Sequence, residues 1–109
     1  MNITIEKIND FSVLTIDGRI DSSNFSEFEE KINQLFSKGV KKFILNCSGL
    51  KYISSSGLRV FLVAQKKTIS LQGNLYLCNM QPGIKEIFVI SGFSNIFRIF
   101  NTLEEALEQ

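Results

Sequence analysis

The stretch Lys42–Gln65, KFILNCSGLKYISSSGLRVFLVAQ, decides the fold. It begins with a short apolar run, Lys42–Cys47, which predicts a buried strand. Ser48-Gly49 then opens a loop that we expect to last until about Ser55. Apolar residues after Gly57 recur at three- and four-residue spacing, which predicts a helix. A buried strand followed by a helix is typical of the crossover unit of an α/β fold.

The chain before this stretch predicts a hairpin and a helix. The runs Ile3–Ile5 and Phe11–Ile16 are rich in apolar and β-branched residues and lie on either side of Asn9-Asp10, so they predict two antiparallel strands. Apolar residues from Phe25 onward recur at helical spacing. The three polar residues before that helix, Ser22–Asn24, offer side chains that can cap its N-terminus.

The chain after this stretch continues the alternation of strand and helix. Leu75–Cys78 predicts the next strand, and Pro82 suits the first turn of a third helix. Ile96–Phe100 predicts a final short strand. Thr102 with Glu105 forms a capping box, which predicts that a short helix ends the sequence.

The order of these elements predicts one α/β domain over residues 1–109. One hundred and nine residues are the size of a single domain, and no linker, repeat or low-complexity segment interrupts them. An antiparallel start followed by crossover units predicts a mixed, mostly parallel sheet with an antiparallel N-terminal hairpin. We expect about four helices to cover this sheet.

Charge and hydropathy argue against nucleic acid and membrane as direct partners. Twelve basic and eleven acidic residues leave a net charge of +1, so no excess of positive charge is available to neutralise a run of phosphates. The longest apolar stretches are far shorter than a membrane span. Met1–Asp10 has no apolar core of signal-peptide length. We therefore expect a cytoplasmic protein without membrane insertion.

Several absences argue against an enzyme. The chain has no histidine, so a serine hydrolase would lack its usual general base and a metal site its commonest ligand. No phosphate-binding glycine motif is present. Cys47 and Cys78 lie in apolar runs without metal-ligand spacing, and we expect two buried, reduced thiols. The sequence predicts no catalytic residue, no cofactor and no metal.

Two polar loops should meet at one edge of the sheet. Functional sites of crossover folds gather beyond the carboxyl ends of the parallel strands. One loop there is Gly18–Ser22, which contains Asp21, and the other is Ser48–Ser56. If a right-handed crossover makes the two preceding strands parallel, Asp21 and the serines approach each other.

The serine run Ser54–Ser56, directly before Gly57, has two explanations. A hydroxyl at the start of a helix can cap a free backbone N–H group. Alternatively, a serine there can be phosphorylated, because a phosphate would face the free N–H groups and the positive end of the helix dipole. The residues by themselves favour capping and leave phosphorylation open.

Four segments together resemble the anti-sigma factor antagonists, which are bacterial members of the STAS domain family. These segments are Gly18–Asp21, Asn46–Leu50, Tyr52–Leu58 and Leu103–Leu107. The similarity extends along essentially the whole chain, in the same order, and its most specific part is the serine–serine–glycine–leucine segment before the second helix.

The resemblance implies a partner-switching cycle. In this family the unmodified antagonist binds an anti-sigma factor that is also a serine kinase, and a sigma factor is thereby released. The kinase then phosphorylates the serine just before the glycine, here Ser56, and the complex dissociates. A PP2C-type phosphatase restores the active form. The residues expected to line the site or contact the partner are Asp21, Ser54, Ser55, Gly57, Leu58 and Arg59.

The chain departs from the family pattern at two positions. Most members have an aspartate immediately before the two serines, where this chain has Ser54, and many have an aspartate in the preceding strand, where it has Asn46. Ser54 is either a tolerated substitution or a second modification site. Gly57 fits the resemblance, since it has no side chain to obstruct a kinase.

Two further alternatives stay open. The chain could be a non-switching STAS adaptor, a subunit of a transporter or of a larger signalling assembly, that uses the same helix to hold a partner constitutively. In addition, Phe93, Phe97 and Phe100 follow Gly92 near the C-terminus. We expect them to be buried, and the alternative is an exposed patch for a ligand or a weak homodimer.

Overall fold

In the computed structural model, which describes residues 1–109, five strands form one sheet and lie in it in chain order. The strands are β1 (Asn2–Ile8), β2 (Phe11–Ile20), β3 (Lys42–Ile53), β4 (Asn74–Cys78) and β5 (Arg98–Phe100). β1 and β2 are antiparallel, and every other pair of neighbours is parallel. The predicted mixed sheet with an N-terminal hairpin is confirmed.

Four α-helices and one short turn of 3₁₀-helix accompany the sheet. They are α1 (Phe25–Ser37), α2 (Ser55–Ser70), α3 (Pro82–Ile90), the 3₁₀ turn Phe93–Asn95, and α4 (Leu103–Leu107). Side chains of α1, α2 and α3 share the larger core with one face of the sheet, whereas α4 contributes to a smaller cluster that contains the residues of the other face. The predicted covering of the sheet by about four helices is therefore confirmed, and the helices lie on both faces.

The turn between β1 and β2 has the conformation that its residues favour. Asn9 and Asp10 both have positive φ, 50° and 72°. Asparagine and aspartate tolerate this left-handed conformation better than most residues, and two such residues in succession match the twist of a two-residue hairpin. The predicted hairpin is confirmed, with Ile8 paired to Phe11.

The third strand is longer than predicted, and the expected loop from Ser48 to Ser55 is wrong. β3 continues to Ile53, because β2 is ten residues long and pairs with it as far as Ile20. Leu50 and Ile53 are buried in this extension. The register shifts twice along the pair, so the side chains do not alternate regularly and the sequence shows no period of two.

The C-terminal strand is shorter than predicted. It begins at Arg98 rather than at Ile96, because Gly92 adopts a left-handed conformation and a 3₁₀ turn occupies the residues that follow it. Of the three phenylalanines expected to be buried, Phe97 is buried against Phe61 and Phe88, whereas Phe93 and Phe100 are half-buried. The apolar side chains that remain exposed nearby belong to Val89, Ile90 and Ile96 instead.

The two cysteines are buried and reduced, as predicted. Cys47 belongs to the larger core and Cys78 to the smaller cluster on the opposite face of the sheet. Burial raises the pKa of both thiols, that of Cys78 to about 12 with a further contribution from the charge of Glu104. None of the helices has both the length and the apolar character required of a membrane span.

Candidate functional site at the start of the second helix

At the carboxyl ends of β2 and β3, the residues that follow the two strands lie beside each other, as the topology predicts. The strands run parallel, and their last paired residues are Ile20 and Ile53. The next residue after β3, Ser54, donates its backbone N–H to the carbonyl oxygen of Ile20 at 2.8 Å. The serine run therefore begins directly beside the end of β2.

Ser54 is the N-cap of α2. Its backbone is extended, and its Oγ accepts a hydrogen bond of 3.2 Å from the N–H of Gly57. Its carbonyl accepts the first helical hydrogen bond, from Leu58 at 2.9 Å. Capping therefore accounts for Ser54, and Ser55 and Ser56 form the first turn of the helix beyond the cap.

Gly57 is required by packing, so the explanation we predicted for it is wrong. It is buried in the first turn of α2. A Cβ atom on Gly57 would lie 2.7 Å from Cγ2 of Ile20 and 2.8 Å from Cγ1 of Ile53. The missing side chain thus allows the helix to approach two strands closely. A side chain at position 57 would point into the core, away from any protein that docks on the surface.

Ser56 and Arg59 lie on one groove between α1 and α2. The groove is lined by Phe25, Glu29, Ser56, Arg59, Val60 and Val63. Ser56 is half-buried and Arg59 is exposed. Val63, at 49% exposure, continues the apolar lining into solvent. Leu58, which was also predicted for the site, is half-buried and packs against the larger core.

Asp21 lies at the same edge, but its carboxylate is engaged within its own turn. It accepts hydrogen bonds from the Ser23 hydroxyl at 2.6 Å and from the Ser23 N–H at 2.9 Å. These bonds, together with the charge of Arg19 at 4.0 Å, hold the pKa of Asp21 below its ordinary value. The structure therefore brings Asp21 to the serine run through the backbone of Ile20 and does not join its carboxylate to the serines.

The same turn explains why the expected cap of α1 is wrong. Asn24 occupies the N-cap position, yet its side chain makes no cap hydrogen bond. Its Oδ1 accepts from the N–H of Asp21 and its Nδ2 donates to the carbonyl of Arg19, both at 2.9 Å. Asn24 therefore holds the loop after β2 in place rather than the start of the helix.

One pair at this edge was not predicted from the sequence. The guanidinium carbon of Arg19 lies 4.3 Å from the ring centroid of Tyr52, and the two residues face each other in the β2–β3 register. Tyr52 is exposed. The pairing could only be found by recognising that β3 continues to Ile53, since a loop would not have placed these side chains opposite each other.

Asn46, the other departure from the family pattern, has a structural role. Its Oδ1 accepts from the N–H of Ser48 at 3.2 Å and from Nδ2 of Asn79 at 3.1 Å. Gln81, which follows β4, donates from Nε2 to the carbonyl of Ser48 at 2.9 Å. These bonds tie the middle of β3 to the residues that follow β4. Both oxygens of an aspartate would accept hydrogen bonds in the same way.

Comparison with known protein families identifies this architecture. The sequence-family model of the STAS domain matches residues 2–106 of this chain. BtrV of Bordetella bronchiseptica, which is named an anti-sigma factor antagonist, is 37% identical over 106 residues that cover 97% of this chain and 91% of BtrV.

Solved structures show the same fold. An anti-sigma factor antagonist of Thermotoga maritima superimposes with a TM-score of 0.93 at 21% identity, covering 97% of this chain and 92% of that one. The Bacillus cell fate determinant SpoIIAA in its phosphorylated form gives 0.77 at 23% identity, with coverages of 98% and 97%. A sulfate transporter family protein of Wolinella succinogenes gives 0.76 at 17% identity, with coverages of 91% and 83%.

Proposed function

Because the chain belongs to the STAS domain family, we propose that it is an anti-sigma factor antagonist whose binding is switched by phosphorylation of Ser56. The unmodified protein binds an anti-sigma factor that is also a serine kinase. Phosphorylation by that kinase ends the complex, and a PP2C-type phosphatase restores the binding form. The cycle regulates transcription by a sigma factor. The protein acts by binding, without chemistry of its own.

The observation that carries the proposal is that Ser54 and Ser56 have different structural positions. Ser54 supplies the N-cap, so the hydroxyl of Ser56 is not needed to begin α2. Ser56 instead lines a surface groove between two helices. A hydroxyl in this position can be modified without loss of the cap, and a partner seated on the groove would be in contact with it.

A phosphate on Ser56 should be compatible with the fold. The first turn of α2 contains no acidic residue that would repel it. Its position lies within the first helical turn, where free N–H groups and the positive end of the helix dipole favour negative charge. The modification would therefore change the surface by nearly two negative charges and leave the core as it is.

The relatives support this assignment. BtrV, the relative that is 37% identical, is named an anti-sigma factor antagonist, and proteins of this kind are regulatory binding proteins. SpoIIAA, which shares the fold, is known in both an unphosphorylated and a phosphorylated form.

A second candidate is a non-switching STAS adaptor of a transporter or a larger signalling assembly. The fold similarity to a sulfate transporter family protein favours it. Such an adaptor would hold its partner constitutively, so negative charge on Ser56 would not release the partner.

Binding measurements with serine variants test the proposal. The partner is the cognate anti-sigma factor kinase, a histidine-kinase-like ATPase, and each variant is titrated into it by calorimetry. Ser56→Ala should bind like the wild type and accept no phosphate from ATP. Ser56→Asp should bind at least about tenfold more weakly, because it places a carboxylate in the interface.

The adjacent serine provides the matched control. Ser55 is exposed in the same helical turn but, unlike Ser56, does not line the groove, so Ser55→Ala and Ser55→Asp should both bind and should still be phosphorylated. If Ser56→Asp and Ser56→Ala bind the ATPase equally well, the switch at Ser56 is refuted.

A further inference from the structure

Arg59 lies one helical turn after Ser56. Residues separated by three positions share one face of a helix, with Cβ atoms about 5–6 Å apart. Long helical side chains tend to lean back towards the helix N-terminus, so the side chain of Arg59 can reach over the turn that holds Ser56. Both residues line the same groove, which agrees with this direction.

Arg59 has no acidic partner in the structure. The one ion pair with nitrogen and oxygen within 4.0 Å joins Arg19 to Asp21. Glu29, on α1, is the one acidic residue that lines the groove, and it lies beyond that distance from Arg59. The guanidinium is exposed and free to form a charge-assisted pair without breaking an existing one.

We propose that Arg59 is the internal counter-ion of phosphorylated Ser56, which its guanidinium binds through two parallel N–H···O hydrogen bonds. The inference rests on the proposed phosphorylation of Ser56. A planar guanidinium matches the geometry of phosphate oxygens, and pairs of this kind are among the stronger hydrogen bonds in proteins. The two residues belong to the same helix, so their backbones already hold the two side chains on one face, one turn apart.

This pairing gives phosphorylation a second effect on the partner. Before modification the groove carries the opposite charges of Arg59 and Glu29 and is nearly neutral. Afterwards the phosphate adds nearly two negative charges, and the guanidinium is held against it. A partner that had contacted Arg59 would lose this cation at the moment it meets the new anion.

The experiment places phosphoserine at position 56 during translation, through an expanded genetic code, so that no kinase is needed. The second ionisation of the phosphate, which has a pKa of about 6, is then followed by ³¹P NMR. Arg59 on α2 and Glu29 on α1 are the charged groups that line the groove with Ser56, and the Arg19–Asp21 ion pair lies at the end of β2. Arg59 favours the dianion, Glu29 opposes it, and the charges of Arg19 and Asp21 largely offset each other.

We expect Arg59→Ala to weaken the second acid dissociation of the phosphate at least about threefold, because the favourable cation is lost. Arg59→Lys should restore part of the difference, since it keeps the charge without the planar donors. Lys66→Ala is the matched control. It removes one positive charge from the same helix about 15 Å away, and it should leave the titration unchanged.

Equal titrations of wild type and Arg59→Ala would overturn the inference, and so would an equal effect of Lys66→Ala. Neither result depends on the kinase. If the phosphorylated protein titrates as expected but still binds the anti-sigma factor, the proposed switch is refuted, whereas the role of Arg59 as counter-ion is supported.

Discussion

The backbone N–H of Ser54 donates to the carbonyl oxygen of Ile20 at 2.8 Å, which joins the N-cap of α2 to the last residue of β2. The side chain of the same Ile20 also lies 2.7 Å from the position that a Cβ of Gly57 would take. A hydrogen bond and an apolar contact thus both position the start of α2 against the sheet. The placement of the serine run depends on this close approach.

Replacing Gly57 with alanine should lower the free energy of unfolding by about 1–3 kcal/mol. The added methyl group would overlap the side chains of Ile20 and Ile53, and such overpacking forces neighbouring atoms to shift. Urea denaturation gives the free energy. Gly83→Ala is the control, because no atom outside its neighbours lies within 4 Å and alanine favours the helix by up to about 1 kcal/mol. Equal stability of the two variants would contradict the packing role of Gly57.

Ser54→Ala should lower the free energy of unfolding by about 1 kcal/mol, since the N–H of Gly57 loses its acceptor. Ser54→Asp, which introduces the residue most common in the family, should unfold at nearly the same urea concentration as the wild type, because aspartate and serine are similar N-caps. Ser55→Ala, one residue beyond the cap, should change the stability by less than about 0.5 kcal/mol. A loss with Ser55→Ala as large as that with Ser54→Ala would mean that the cap is misassigned.

Ser23→Ala should raise the pKa of Asp21 towards its ordinary value of 3.8, because both the hydroxyl donor and the turn that it holds contribute to the lowered pKa. A lowered pKa in the folded state means that Asp21 stabilises the protein above pH 3.8 and that this contribution is lost as the pH falls through the folded-state value. The variant should therefore lose less stability on acidification. Carboxyl ¹³C titration of Asp21 measures the pKa.

The neighbouring serine serves as control for that titration. Ser22 is exposed and donates no hydrogen bond to the Asp21 carboxylate, whereas Ser23 donates two. Ser22→Ala should leave the pKa of Asp21 where it is. A wild-type pKa at or above 3.8 would contradict the observed turn.

Both thiols should resist modification in the folded protein. Cys47 and Cys78 are fully buried, and burial raises the pKa of Cys78 to about 12, so at pH 8 neither forms the reactive thiolate. With Ellman's reagent we expect no fast phase in buffer and two equivalents of released thiolate in 6 M guanidinium chloride. A thiol that reacts in buffer at the rate of a free cysteine would show that one of the two is accessible.

Several local features of this chain could be predicted from the sequence because their causes are local. The hairpin follows from Asn9-Asp10, two residues that tolerate positive φ, between two apolar runs. The start of α4 follows from Thr102, whose Oγ accepts from the N–H of Glu105 at 3.1 Å. Turns, caps and helical periodicity involve residues only a few positions apart, so the sequence displays both partners of each interaction.

Only the tertiary structure decided the features that depend on distant residues. β3 continues to Ile53 because β2 lies beside it. The two register shifts interrupt the alternation of side chains, so the sequence shows no period of two that would predict the strand. Gly57 is needed because Ile20, thirty-seven positions earlier, occupies the space of its side chain. Arg59 and Glu29 line the same groove because α1 packs beside α2. In each case the packing of two elements determines the contact, and the sequence of either element alone carries no sign of the other.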